Sequence, residues 1–105
     1  MEEKKKVRQD ILAAAEKCVC GEREQDYGSP EDNFKIIAQM WTAYTGFPIS
    51  ALDVSMMMAL LKIARVSSGG GTMDSFVDLA GYAACGGEIY WKGEQRTIEE
   101  EDINE

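Results

Sequence analysis

Residues 50–66 read SALDVSMMMALLKIARV, and this stretch decides the fold class. Ser50 followed three residues later by Asp53 is a capping-box pattern with Asp in place of Glu, which starts a helix at Ala51. From Ala51 to Val66 twelve of sixteen residues are apolar, too many for a helix that buries a single stripe. Such a helix has to be covered on most sides. A chain of 105 residues makes one domain, and a domain that small cannot surround one helix fully. The surplus apolar surface therefore predicts a dimer or larger bundle.

The flanking segments extend the same pattern in both directions. On the N-terminal side Gly46 and Pro48 end a helix that Ser29-Pro30-Glu31-Asp32 begins, as N-cap, proline at the first helical position and acids in the first turn. That helix is expected from Pro30 to about Tyr44. Before it lies the polar segment Glu22 to Gly28, and before that a first helix from about Lys4 to Cys20. There Val7, Ile11, Ala14, Ala15 and Cys18 share a face and Gly21 is the stop. On the C-terminal side Ser67-Ser68-Gly69-Gly70-Gly71 is a flexible connection. A fourth helix follows from Thr72 or Asp74 to about Trp91, rich in small residues (Ala80, Gly81, Ala83, Ala84, Gly86, Gly87) that admit a close neighbour. No run alternates with a two-residue period, so the chain is all-α with four helices.

Composition narrows the chemistry. The chain has 19 acidic and 11 basic side chains and a formal charge of −8, which argues against nucleic-acid polymers as partners. Residues 93–105 hold six acids and one base, so five of the eight net charges lie there. We expect residues 1–92 to form the helical domain and residues 93–105 a disordered, flexible acidic tail. The absence of histidine excludes an imidazole base, a histidine-ligated metal and a Ser-His-Asp triad. No apolar run reaches the length of a membrane span or follows the basic start as a signal peptide requires, and the expectation is a cytoplasmic protein without membrane contact. Cys18, Cys20 and Cys85 lack the spacing of a zinc site and read as small buried thiols. Met56-Met57-Met58 reads as core filler.

Two helices carry candidate chemistry. At about 100° per residue, Asp74, Asp78, Gly81, Cys85 and Glu88 share one face of the fourth helix, while Phe76, Ala80, Ala83 and Tyr90 form an opposite, core-facing one. Two carboxylates one turn apart can share Mg²⁺, which takes one or two protein carboxylates and completes its shell with water and phosphate oxygens. They are equally compatible with a solvated face near the helix N-terminus. On the third helix Lys62 and Arg65 share one side and Asp53 points away, which leaves Asp53 as the cap partner. The two cations need an anionic partner, either Asp74 or Asp78 across the bundle or the phosphates of a ligand. On the second helix Asn33 falls within the arc of Ile37, Met40, Trp41 and Tyr44, a core-facing amide that needs a partner in the Asp26-Tyr27-Gly28 turn or in a base or ribose.

The combination of Arg23, Asp26-Tyr27-Gly28-Ser29-Pro30-Glu31, Asn33-Phe34, Trp41, Asp53-Val54, Leu60-Leu61-Lys62-Ile63-Ala64-Arg65, Asp74 and Phe76-Val77-Asp78-Leu79-Ala80-Gly81-Tyr82-Ala83-Ala84 resembles a family of small phage and prophage proteins of uncharacterised function. The resemblance covers roughly residues 7 to 91. That family is similar to the MazG-like all-α nucleotide pyrophosphohydrolases. The resemblance implies a homodimer or homotetramer that cleaves a nucleoside triphosphate between its α and β phosphates with Mg²⁺ or Mn²⁺. It implies metal ligation by Asp74 and Asp78, with Asp26 or Glu31 completing the site. Lys62 and Arg65 would act on the phosphates, and Arg23, Tyr27, Asn33 and Tyr82 would contact the nucleotide. The E-x-x-E pair of those enzymes has no counterpart on the third helix. The alternative is a protein that binds and sequesters a nucleotide or nucleotide signal without turnover.

Overall fold

The computed structural model describes residues 6–21 and 29–103, with side chains as far as Glu94. Among the described residues there are four helices and no strand: α1 (Val7–Cys20), α2 (Pro30–Thr45), α3 (Ala51–Ser67) and α4 (Met73–Ile103). The local chemistry sets the boundaries as the sequence predicts. Ser29 Oγ accepts the Asp32 N–H at 3.2 Å ahead of Pro30. Gly46 closes α2 in the left-handed region at φ 79°, its N–H donating to Thr42 O, a conformation in which a Cβ is strained. Thr42 Oγ1 then ties the turn, accepting from Ile49 N at 2.9 Å and donating to Ile49 O at 3.2 Å. Ser50 and Asp53 form the reciprocal box, Asp53 N to Ser50 Oγ at 3.0 Å and Ser50 N to Asp53 Oδ2 at 2.9 Å.

α4 departs from expectation at its far end. The sequence predicts a helix to about Trp91, yet it runs on through Gly93 to Ile103. One glycine costs a helix about 1 kcal/mol, and the Glu, Gln and Arg residues beyond it are good helix formers. No helix among the described residues is long and apolar enough to cross a membrane.

α3 and α4 form an antiparallel hairpin, with Ser55 beside Gly86 and Lys62 beside Asp78. α1 lies on α4 and α2 on α3. Both cover the same side, because Phe34 and Ala38 of α2, Val54 of α3 and Cys85 of α4 make one core cluster against which Val19 of α1 also packs. The hairpin is closest at Gly86: a Cβ built there would lie 2.7 Å from Ser55 Oγ and 2.9 Å from Met56 Cε. Ser55 is fully buried, and its hydroxyl is satisfied by Leu52 O at 2.7 Å.

Three packing expectations are overturned. The covered face of α4 is the one bearing Gly81, Cys85 and Gly86, whereas Phe76, Ala83 and Tyr90 are exposed. Small residues allow α1 and α3 to approach and so mark the contact, while the large apolar ones stand outside it. In α3 only Val54, Ser55 and Ala59 are buried; Met56, Met57, Leu60, Leu61 and Ile63 are exposed and Met58 is half-buried. Cys18 and Cys20 are exposed, and only Cys85 is a buried thiol.

Candidate functional site

Where the α3–α4 hairpin closes, Lys62 Nζ lies 3.0 Å from Asp78 Oδ2. The lysine side chain is 13% exposed and the aspartate 39%, so the pair spans from the helix contact to its solvent edge. α3 faces α4 through the Ser55, Ala59, Lys62 stripe, which places a cation inside the hairpin. A nearly covered ammonium needs a carboxylate partner, and Asp78 supplies it. Asp74 stands one turn earlier on α4, exposed and in the first turn of the helix, where the N-terminal dipole favours an acid. Arg65 stands one turn after Lys62 on α3, also exposed. The arrangement is thus two carboxylates and two cations around one edge of the hairpin, one of each already paired.

A second cluster lies further along α4, near its middle. Lys92 Nζ is 3.3 Å from Glu31 Oε2 and 3.3 Å from Glu88 Oε1, and Glu31 Oε1 is 3.6 Å from Lys35 Nζ. Its carboxylate partners hold the Lys92 ammonium above its ordinary pKa, Glu88 first and Glu31 next. These contacts fasten the start of α2 to α4. Ten residues of helix separate Asp78 from Glu88, about 15 Å at 1.5 Å per residue, so Glu31 does not join Asp74 and Asp78 around one ion. Sequence reasoning missed Lys92 as the partner of Glu31. The i,i+4 spacing of Glu88 and Lys92 was the available signal.

The other sequence-predicted residues separate from this edge. Asn33 is exposed rather than core-facing. α2 buries Phe34 and Ala38, so its packed face is turned away from Asn33, and Met40 and Tyr44 beside it are exposed as well. Tyr82 is half-buried in the core, its ring 6.3 Å from that of Phe34. Arg23, Asp26 and Tyr27 lie outside the described residues. A shallow groove of about 440 Å³ between α2 and the start of α3, lined by Lys35, Ala38, Gln39, Thr42, Ile49 and Ala51 among others, contains none of the predicted residues.

Among the described residues no three acidic or thiol side chains converge as a metal group. The donors therefore do not fit a dication held by protein ligands alone. They do fit one that arrives on phosphates, for which one or two carboxylates suffice.

A family model described as "Domain of unknown function (DUF6378)" matches residues 10–90, most of the chain. The chain belongs to this family. It is similar to the Gene 55 protein of Mycobacterium phage D29, 46% identical over 82 residues that make up 78% of this chain and 54% of that protein. It is similar as well to the Gene 55 protein of Mycobacterium phage L5, 47% identical over 74 residues, 70% of this chain and 47% of that protein. The chain thus spans about half the length of these relatives. No solved structure matches it. The matched span takes in both predicted cations of α3 and both predicted acids of α4, so the whole hairpin edge lies within the family's domain.

Proposed function

We propose that the chain handles a free nucleotide together with its divalent cation at the hairpin edge, as a MazG-like, Mg²⁺- or Mn²⁺-dependent nucleoside triphosphate pyrophosphohydrolase. The observation that carries this reading is the Lys62–Asp78 pair at 3.0 Å, with Asp74 and Arg65 one turn away on their own helices. Asp74 and Asp78 would hold the cation. When bound, the metal supplies a water of lowered pKa and neutralises phosphate charge, which is the route open to a chain without histidine. Lys62 balances Asp78 in the resting protein, and with a cation held at Asp78 its ammonium would be free to donate to a phosphate oxygen. Arg65, exposed and planar, offers a bidentate grip on phosphate. Arg23, Asp26 and Tyr27 would act from the 22–28 segment. A free nucleotide in the cytoplasm is the substrate class this reading assigns, since the charge of −8 disfavours polymers.

One observation favours the second reading, a nucleotide- or nucleotide-signal-binding protein without turnover. At the hairpin edge the described residues offer only the two carboxylates Asp74 and Asp78, and Glu31 is engaged by Lys92 and Lys35.

The test is incubation with a panel of NTPs and dNTPs and Mg²⁺ or Mn²⁺, following pyrophosphate release and thermal stabilisation together. Pyrophosphate release abolished by Asp78→Asn supports the hydrolase. Stabilisation without pyrophosphate supports the binding protein. Full turnover by Asp78→Asn removes the metal assignment, and the absence of both signals removes both readings.

A further inference from the structure

The four charged residues of the hairpin edge balance one another, Asp74 and Asp78 on α4 against Lys62 and Arg65 on α3. Within that set Lys62 and Asp78 differ from the other two. Asp74 and Arg65 are exposed, and water solvates them. The Lys62 side chain is 13% exposed, lies on the stripe by which α3 meets α4, and holds its ammonium 3.0 Å from Asp78 Oδ2. A cation withdrawn that far from water depends on its carboxylate. Asp78 keeps 39% of its side chain in solvent, so a dissolved ion reaches it without any parting of the helices.

A divalent cation that arrives from solvent meets an oxygen already in use. Mg²⁺ binds a carboxylate oxygen at about 2.1 Å, so an ammonium 3.0 Å from the same oxygen would stand at most about 5 Å from the ion. One carboxylate cannot neutralise both. Asp74 brings one more negative charge, which the exposed Arg65 cancels. A bare dication therefore leaves the edge with two positive charges in excess, and it takes from Lys62 the partner that burial demands. A phosphate chain removes both penalties. Its oxygens complete the shell of the cation, and one of them accepts from the Lys62 ammonium, carried on a stem long enough to swing from Asp78 toward water.

We propose that Lys62 makes the cation site conditional: Asp78 accepts a divalent cation only together with a phosphate anion that takes over the Lys62 ammonium. On the nucleotide reading of this edge, which the proposal presupposes, the chain takes up a metal–phosphate complex rather than the metal first and the nucleotide second. Such coupling is reciprocal: whatever factor the anion adds to the hold on the cation, the cation adds to the hold on the anion. Ordinary couplings span about fivefold to 150-fold, and the displacement of a nearly covered ammonium places this one at about tenfold or more. In a solution of dications without nucleotide the edge stays closed by its own ion pair. The donor set agrees with this order, since among the described residues no three acidic or thiol side chains converge, which leaves the remaining ligands to the anion.

Equilibrium dialysis with elemental analysis of manganese tests this on the full chain, with Mn²⁺ alone and with Mn²⁺ plus imidodiphosphate, a diphosphate that resists hydrolysis. Asp78→Asn, run in parallel, subtracts the manganese held elsewhere on an acidic chain. With Mn²⁺ alone, wild type and Asp78→Asn are expected to retain equal amounts. With imidodiphosphate present, wild type retains a further equivalent that Asp78→Asn lacks. Lys62→Met, which keeps the stem and removes the charge, is expected to bind that equivalent without the anion, about tenfold or more tightly than wild type, and to lose it when Asp78→Asn is added. Lys62→Gln serves in its place should Lys62→Met lose its helical circular dichroism. Two different results overturn the proposal. Asp78-dependent binding of Mn²⁺ alone by wild type, as tight as that by Lys62→Met, refutes the conditional site and leaves the metal assignment standing. No Asp78-dependent manganese in any of the proteins, with or without imidodiphosphate, removes the metal assignment and the proposal with it.

Discussion

Gly86 and Gly93 sit in the same helix seven residues apart, and alanine is expected to act on them in opposite directions. A methyl group at Gly93 meets nothing within 4 Å, whereas at Gly86 it would lie 2.7 Å from Ser55 Oγ and 2.9 Å from Met56 Cε. Met56 can swing its terminal methyl aside. Ser55 cannot yield, being fully buried and hydrogen-bonded to Leu52 O at 2.7 Å. Gly93→Ala should therefore gain the helix-propensity difference of about 1 kcal/mol. Gly86→Ala gains the same but forces α3 and α4 apart by several tenths of an ångström, an overpacking cost of about 1–3 kcal/mol. At roughly 5 °C per kcal/mol for a domain of this size, the two variants should differ in melting temperature by about 5–15 °C, with Gly86→Ala the lower. Melts followed by circular dichroism at matched protein concentration measure this. Ser55→Ala removes the clashing oxygen, so Gly86→Ala should lose most of its penalty in that background. Equal stabilisation by both alanines would refute the close approach of the hairpin, and with it the assignment of the covered face of α4.

Three further outcomes follow from the ion pairs and caps. Asp78→Ala strands a nearly covered ammonium at Lys62 and should lower stability by about 1–3 kcal/mol in urea titrations. Lys62→Met keeps the packing of the stem and leaves a carboxylate that water can solvate, so it should cost less than about 1 kcal/mol; the reverse order would contradict the burial of Lys62. The Lys92 pKa is raised above its ordinary 10.5 by Glu88 and Glu31, so the charge contribution of the clamp is complete below that value and lost as pH rises through the higher folded-state value. The melting difference between wild type and Lys92→Gln should therefore be constant from neutral pH to the ordinary lysine pKa and shrink above it; a difference that grows there would contradict the clamp. Asp53→Ala breaks the capping box of α3 and should cost about 1 kcal/mol in thermal melts while leaving any pyrophosphate release unchanged.

The parts of this fold that were legible in the sequence are those written in local chemistry. Ser29-Pro30, Gly46 and the Ser50–Asp53 box each act within a few residues, and each does in the structure what its residue types require. The pairing of Lys62 across the hairpin was legible too, as a cation on an apolar helix that needed Asp74 or Asp78. What could not be read was which side of each helix is covered. α2 carries two apolar stripes, Phe34-Ala38-Trp41 and Ile36-Met40-Tyr44, and periodicity alone does not choose between them. In α4 the choice is inverted, because Gly81, Cys85 and Gly86 make the contacts while the large aromatic side chains of Phe76 and Tyr90 remain outside. Glycine beside a buried serine was the signal for the close helix contact. The Glu31–Lys92 bond joins residues 61 positions apart, and only the fold brings them together.

The unequal covering of the three thiols has a kinetic consequence. Cys18 and Cys20 are exposed on α1, while Cys85 is buried on the side of α4 that α1 and α2 cover. α1 buries only Ala15 fully, whereas Cys85 packs with Phe34 and Ala38 of α2 and Val54 of α3, so the inner thiol is reached only through an opening of that core. An alkylating reagent consumes the two outer thiols at the rate of a solvated cysteine and reaches the inner one only during such openings. The ratio of the two rates is then the equilibrium constant for the opening that uncovers Cys85, recorded by the protein's own side chains.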